Sequence, residues 1–207
     1  MKEPLNLIIV GVGGQGNVTI SGLIGRALLK QGYHITIGEL YGAAQRGGSV
    51  MSHVRISVES EFGPIIPEGR ADVVLGLEPV ESLRVLGAYG NPGVEVIANT
   101  RPIYPIAVAA GDIEYPTLER IHKALIELSH HVWFINATDI ALGLGTAVLT
   151  NVVMVGALVT SRLTPLTQKA FVDEIKNAMP QARIEDNLKA FEEGAKALSS
   201  YNLEYYR

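Results

Sequence analysis

Leu5-Asn6-Leu7-Ile8-Ile9-Val10-Gly11-Val12-Gly13-Gly14-Gln15-Gly16 is the stretch on which the fold turns. Leu5 to Val10 is a short apolar run ending in glycines, which reads as a strand buried on both faces. The glycines then make a tight turn. From Val18 to Gln31 the apolar positions Ile20, Leu23, Ile24, Ala27 and Leu28 recur with the spacing of one helix face, and Gly32 ends that helix. His34 to Glu39 is a second strand. A strand, a turn, a helix and a strand form a βαβ opening, which predicts a right-handed crossover and a parallel sheet.

Outward from this core, Tyr41 to Gly48 is a glycine-containing loop. Ser49 to Val58 alternates: Val50, Ser52, Val54, Ile56 and Val58 form one row, and Ser49, Met51, His53, Arg55 and Ser57 the other. That alternation predicts a half-exposed strand. Residues 59–69 hold two prolines and two glycines and read as turn and loop. A third buried strand is expected at Asp72 to Leu77, a helix from Pro79 to about Leu86, and a strand at Val94 to Ala98. Residues 101–116 carry three prolines and read as a small excursion from the sheet. A helix over Thr117 to Ser129 and a strand over Val132 to Asn136 follow. Helices are then expected at Thr138 to Leu144, Thr150 to Val159, Thr167 to Ala178 and Asn187 to Leu198. The reading is an α/β fold: one mostly parallel sheet flanked by helices, a helical C-terminal third, and a single domain over 1–207.

Composition narrows the function. At 207 residues and 47% hydrophobic, the chain can build a real core, burying roughly 70% of its unfolded surface. The net charge of −4, the absence of a Lys/Arg block and the 6% aromatic content argue against a nucleic-acid partner. There is no cysteine, so disulfides are excluded, and any iron–sulfur cluster must be held by another chain. The N-terminus lacks the pattern of a signal peptide, and a cytoplasmic location is expected. Ile140 to Val159 is uncharged over twenty residues, the length of a membrane span, but Gly143, Gly145, Thr146, Thr150 and Asn151 interrupt it. Such breaks are costly in lipid, so a buried or interface helix is expected and no membrane partner.

Gly11, Gly13 and Gly16 fit the G-x-G-x-x-G pattern between strand and helix, with Gly14 inside the turn. Glycines there permit a tight turn and let backbone N–H groups at a helix N-terminus approach an anion. Glu39 ends the second strand 23 residues after Gly16, near where a dinucleotide fold places its ribose-binding acid. Taken alone, the segment reads equally as an NAD or FAD site, hence a stand-alone oxidoreductase, or as packing. The next loop holds Gln45-Arg46-Gly47-Gly48-Ser49-Val50. There Arg46, with the N–H groups of Gly47, Gly48 and Ser49, can meet one anion, or Arg46 can pair with a neighbour while the glycines serve only the turn.

Three stretches together resemble a known family: Gly11-Val12-Gly13-Gly14-Gln15-Gly16, then Glu39 through Gln45-Arg46-Gly47-Gly48-Ser49-Val50, then Asn151-Val152-Val153-Met154-Val155-Gly156-Ala157-Leu158. The chain resembles the gamma-type domain of pyruvate and 2-oxoacid:ferredoxin oxidoreductases along nearly its whole length. Ile65-Ile66-Pro67-Glu68-Gly69-Arg70-Ala71-Asp72, Leu77-Glu78-Pro79, Asn99-Thr100-Arg101-Pro102 and Asn187-Leu188-Lys189-Ala190-Phe191 are similar, more narrowly, to the beta subunit of the indolepyruvate branch. The resemblance implies a Rossmann-like domain that docks on a large partner. It also implies that the partner carries thiamine diphosphate, Mg and iron–sulfur clusters, oxidises a 2-oxoacid to an acyl-CoA and passes electrons to ferredoxin. This chain would help form the cofactor and coenzyme A cavity, with Arg46, Gly47, Gly48 and Ser49 facing the partner's site. Gly11, Gly13, Gly14 and Gly16 would be mainly structural. Ala43-Ala44 stands where the family often carries a hydroxyl or a methionine, leaving that patch unable to hydrogen-bond.

The other residues agree with a subunit that is incomplete alone. No Gly-Asp-Gly followed by an Asn pair is present; Gly111-Asp112-Ile113 is a broken version. No residue is assigned a catalytic role and no metal site is expected: His130-His131 is adjacent and reads as a helix end, and His34 and His122 lack partners in sequence. Ser21, Ser49 and Ser52 lack a nucleophile elbow. His53 and Arg55 either line an interface or phosphate path or are solvated groups on a half-exposed sheet. Asn151 either caps a helix or serves an interface.

Overall fold

The computed structural model describes residues 1–42, 48–104, 108, 110–111 and 114–201. β1 (Leu5–Val12) leads through the glycine turn into α1 (Asn17–Lys30) and β2 (His34–Tyr41). β3 (Ser49–Ser57), β4 (Val73–Gly76), α2 (Pro79–Tyr89) and β5 (Glu95–Asn99) follow, then α3 (Leu118–Leu128) and β6 (His131–Ile135). The last third is α4 (Ala137–Gly143), a 3-10 turn (Ala147–Leu149), α5 (Thr150–Ser161), α6 (Gln168–Ala178) and α7 (Gln181–Ser199). The final helix starts six residues before the expected Asn187, because Pro180 delivers the chain into a polar first turn that shows no apolar period.

The six strands lie in the order β2-β3-β1-β4-β5-β6. β1–β4, β4–β5 and β5–β6 are parallel, whereas β2–β3 and β3–β1 are antiparallel. The sheet is therefore mostly parallel, as expected, but β2 does not sit beside β1. The link from Tyr41 to Ser49 is too short for the crossover that a parallel neighbour requires. β3 folds straight back along β2 and inserts between it and β1, pairing Tyr41 with Val50 and Val12 with Ser49.

Side chains of β1 alternate between two cores. Leu5, Leu7 and Ile9 face α1 and the C-terminal helices; Ile8 and Val10 face α2 and α3. Burial of each such side chain contributes about 1.5–3 kcal/mol. The uncharged run 140–159 divides among α4, the 3-10 turn and α5. Among the described residues no helix is long and apolar enough to cross a membrane. α5 is buried on all sides from Thr150 to Leu158, and α7 covers much of it. A Cβ on Gly156 would lie 2.1 Å from the Phe191 carbonyl, and one on Gly194 would lie 1.8 Å from that of Val153. The two glycines let these backbones touch.

β3 corrects one expectation. It is a central strand, and Ser52, His53, Val54, Ile56 and Ser57 are buried rather than solvated. The loop after it folds back over its second face: Ile66 N–H donates to His53 Nδ1 at 2.9 Å, and Pro64 lies so close to Gly38 that a Cβ there would be 2.7 Å from its carbonyl oxygen. Burial, with the Arg55 charge adding to it, pushes the His53 pKa down to about 4. His130 is likewise no helix end. Its Nδ1 lies 2.9 Å from Glu95, and His131 opens β6.

Candidate functional site

The parallel strands and β2 end on one edge of the sheet, and the glycine turn stands in the middle of that edge. Gln15 folds beneath the turn: its Oε1 accepts from Val12 N–H and its Nε2 donates to the Leu77 carbonyl, each at 2.8 Å. A Cβ on Gly11 would lie 2.4 Å from that same Oε1, so Gly11 serves packing. Gly14, at φ 99, has open space where a Cβ would be. Gly16, at φ 78, is the N-cap residue of α1 and offers no side-chain cap. Among the described residues nothing accepts from the N–H groups of Asn17, Val18 and Thr19, so α1 presents its positive end uncovered.

The second loop is drawn to the first. Gly13 N–H donates to the Gly48 carbonyl at 2.9 Å, Gly42 N–H to the Ser49 carbonyl at 2.7 Å, and Asn17 Nδ2 to the Val50 carbonyl at 3.0 Å. Between the loops is a cavity of about 530 Å³, lined chiefly by Gly13, Gly14, Gly16, Asn17, Gly48 and Ser49. Open N–H groups around a cavity of this size suit an anionic group such as a phosphate. The structure thus brings together Gly13, Gly14, Gly16, Gly48 and Ser49, with Gly11 directly below. Arg46 and Gly47 lie outside the described residues, as do Ala43 and Ala44. Glu39 does not line the cavity. Its two carboxylate oxygens accept from Ser21 Oγ at 2.9 Å and Ser52 Oγ at 2.7 Å, which ties β2 to α1 and β3.

Asn151 resolves differently from either reading. It is buried in the first turn of α5, and its Nδ2 reaches across to the Gly16 carbonyl at 3.4 Å, clamping the glycine turn to the last third of the chain. Arg55 is not part of this edge. It pairs in register with Asn6, and six residues of strand separate it from Ser49, about 20 Å.

Sequence reasoning also missed the knitting along the edge. Asn99 Nδ2 donates to the Leu77 carbonyl at 3.0 Å and to Thr138 Oγ1 at 2.9 Å, while its Oδ1 accepts from Ala137 and Thr138 N–H. Glu78 caps α2 through Glu81 N–H at 2.8 Å. Its other oxygen accepts from Tyr115 Oη at 2.5 Å and from Ile103 N–H at 3.4 Å, tying both residues to the start of α2. Burial raises the pKa of Glu78, and the same enclosure raises that of Tyr115. The same edge also exposes apolar side chains: Val18, Tyr41, Ile103, Tyr104 and Val148, the last by 68%, beside the exposed Arg101–Asp139 ion pair. Exposed apolar residues gathered on one edge mark an interaction surface.

The chain is similar to known proteins over nearly its whole length. The family model for pyruvate ferredoxin/flavodoxin oxidoreductase matches residues 6–197. The indolepyruvate oxidoreductase subunit IorB of Thermococcus kodakarensis is 41% identical over 198 residues, covering 95% of this chain and 96% of that one. Among solved structures, the gamma subunit of keto/oxoacid ferredoxin oxidoreductase from Geobacter sulfurreducens superposes with a TM-score of 0.68 at 20% identity, covering 95% of this chain and 99% of that one. The 2-oxoglutarate:ferredoxin oxidoreductase from Magnetococcus marinus gives 0.75 at 20% identity, covering 98% of this chain but only 32% of that longer one. The stand-alone NAD or FAD alternative finds no support among them.

Proposed function

The chain belongs to the pyruvate ferredoxin/flavodoxin oxidoreductase family, and we propose that it is the small subunit of a cytoplasmic indolepyruvate:ferredoxin oxidoreductase, working only when docked through the carboxyl edge of its sheet. As a subunit of a 2-oxoacid:ferredoxin oxidoreductase complex it is part of an oxidoreductase. In this reading the large partner carries thiamine diphosphate, Mg and the iron–sulfur clusters, and delivers electrons to ferredoxin. This chain's donor set does not fit a metal–diphosphate group: among the described residues no three His, Asp or Glu side chains converge. Its cavity does fit a phosphate. We place there a phosphate of coenzyme A, a molecule bound in the Magnetococcus marinus enzyme. The open N–H groups of α1 would orient it toward the partner, with Arg46, Gly47, Gly48 and Ser49 proposed to assist.

The observation that carries this reading is the glycine-turn cavity, open at an edge rimmed by exposed Val18, Tyr41 and Val148. The chain's own residues would position a ligand and exclude water; they would move no electrons. Titrating the chain into the large subunit while following the mass by light scattering tests the docking. A stoichiometric complex is expected, weakened at least about tenfold in Val148→Asp. Assembly that survives Val148→Asp together with Tyr41→Asp would overturn the assignment of this edge.

A further inference from the structure

We propose that a second cavity, at the opposite edge of the sheet, is a binding site for a small oxyanion held between Arg55 and Arg70. The cavity measures about 510 Å³, within the range of ligand pockets, and is lined in part by Lys2, Glu3, Asn6, Arg55, Arg70 and Asp72. It lies where β1 and β4 begin and β3 ends, for Asn6 pairs with Arg55 and Asp72 N–H donates to the Asn6 carbonyl. The glycine turn is a full strand length away.

The charges in this cavity do not cancel. Asp72 is engaged on both oxygens, by Lys2 Nζ and by Asn6 N–H, each at 2.8 Å. Glu3 accepts from Val58 N–H at 3.2 Å, and its hydrogen bonding to Ser57 holds its pKa down. Arg55 and Arg70 have no carboxylate within 4.0 Å among the described residues. Two uncompensated guanidinium groups thus line one cavity of a chain whose net charge is −4.

Arg55 is also held in place. Its Nε donates to Asn6 Oδ1 at 3.2 Å, one terminal nitrogen donates to the Gly63 carbonyl at 3.0 Å, and its guanidinium lies 4.9 Å from the centre of the Phe62 ring. Asn6 is buried, and its Nδ2 fixes the Arg70 carbonyl at 2.8 Å. One buried amide therefore sets both the Arg55 guanidinium and the Arg70 backbone. The contacts on Arg55 are neutral, so they orient the cation without neutralising it. A planar guanidinium with N–H groups to spare suits two oxygens of one phosphate or carboxylate. An exposed Arg70 at the mouth can close on the same anion. The bland alternative gives Arg55 a purely structural task and leaves Arg70 solvated; it predicts no effect of Arg70 on anion binding.

The test uses the full chain with inorganic phosphate and with citrate, against chloride at equal ionic strength, read by calorimetry and by melting temperature. Saturable binding is expected to at least one of the two anions. Phosphate alone would assign the site to phosphate groups, and citrate alone to carboxylates. Arg70→Gln should weaken binding about tenfold and leave the unliganded melting temperature unchanged, since its exposed guanidinium makes no hydrogen bond or ion pair among the described residues. Arg55→Lys, which keeps the charge but loses the fork, should weaken it by a similar factor. Binding no stronger than chloride accounts for, or an unchanged dissociation constant in Arg70→Gln, would overturn the proposal.

Discussion

Glycine does opposite work in two regions of this molecule. At the α5–α7 seam, Gly156 and Gly194 exist so that backbone can lie against backbone, and no free space remains beside them. At the carboxyl edge, Gly14 has empty space where a side chain would be, and Gly16 leaves the first turn of α1 uncapped. The seam closes the fold, whereas the turn keeps it open toward something else. The contrast separates residues that answer to stability from residues that answer to assembly.

The seam should show the largest effect on folding. Gly194→Ala would place a Cβ 1.8 Å from the Val153 carbonyl oxygen. Backbone cannot yield as a flexible side chain does, so a loss of about 3 kcal/mol is expected, lowering Tm by about 6–12 °C. Calorimetry checks it; a shift below about 2 °C would show that the helices are not locked together.

A comparable loss should come from acid, through the same packed body. An unfolded histidine takes its proton at its ordinary 6.5, whereas buried His53 does so only at about 4. Between those values the unfolded chain binds more protons, so stability falls as pH falls, by up to about 3 kcal/mol at 1.36 kcal/mol per unit. Urea unfolding at a series of pH values should show this slope, flattened in His53→Phe.

Gly14→Ala sharpens the comparison. No neighbour obstructs a methyl group, but φ 99 penalises any side chain. About 1–2 kcal/mol of stability should go. The KM of the assembled complex for coenzyme A should rise roughly tenfold, the equivalent of about 1.4 kcal/mol. A KM that does not move would return the turn to packing alone. Val148→Asp should be smallest in stability, within about 0.5 kcal/mol, because the side chain is already exposed. Its affinity for the large subunit should nonetheless drop at least about tenfold.

How much of this was legible follows the same division. β1, its turn and α1 were readable because period and glycine spacing act locally. The antiparallel insertion of β3 is signalled by a link too short for a crossover, whereas a βαβ opening by itself predicts a parallel neighbour. His53 reads as half-exposed from alternation, since nothing local announces that residues 59–69 fold back across it. Asn151 could not be matched to Gly16 by pattern, because their contact spans 135 residues of chain. Glu39 stands at the position of a ribose-binding acid, yet Ser21 and Ser52 hold both of its oxygens, a partnership only the sheet order creates. At the candidate site, the turn glycines with Gly48 and Ser49 were legible, whereas Gln15, Asn17 and Asn99 were not, since each acts on a backbone carbonyl outside its own motif.

The most direct test measures reduction of an electron acceptor driven by indolepyruvate and coenzyme A, for this chain alone, for the large subunit alone, and for the two mixed. The account predicts full turnover only in the mixture. Sustained turnover by this chain alone, or a large subunit equally active without it, would contradict it.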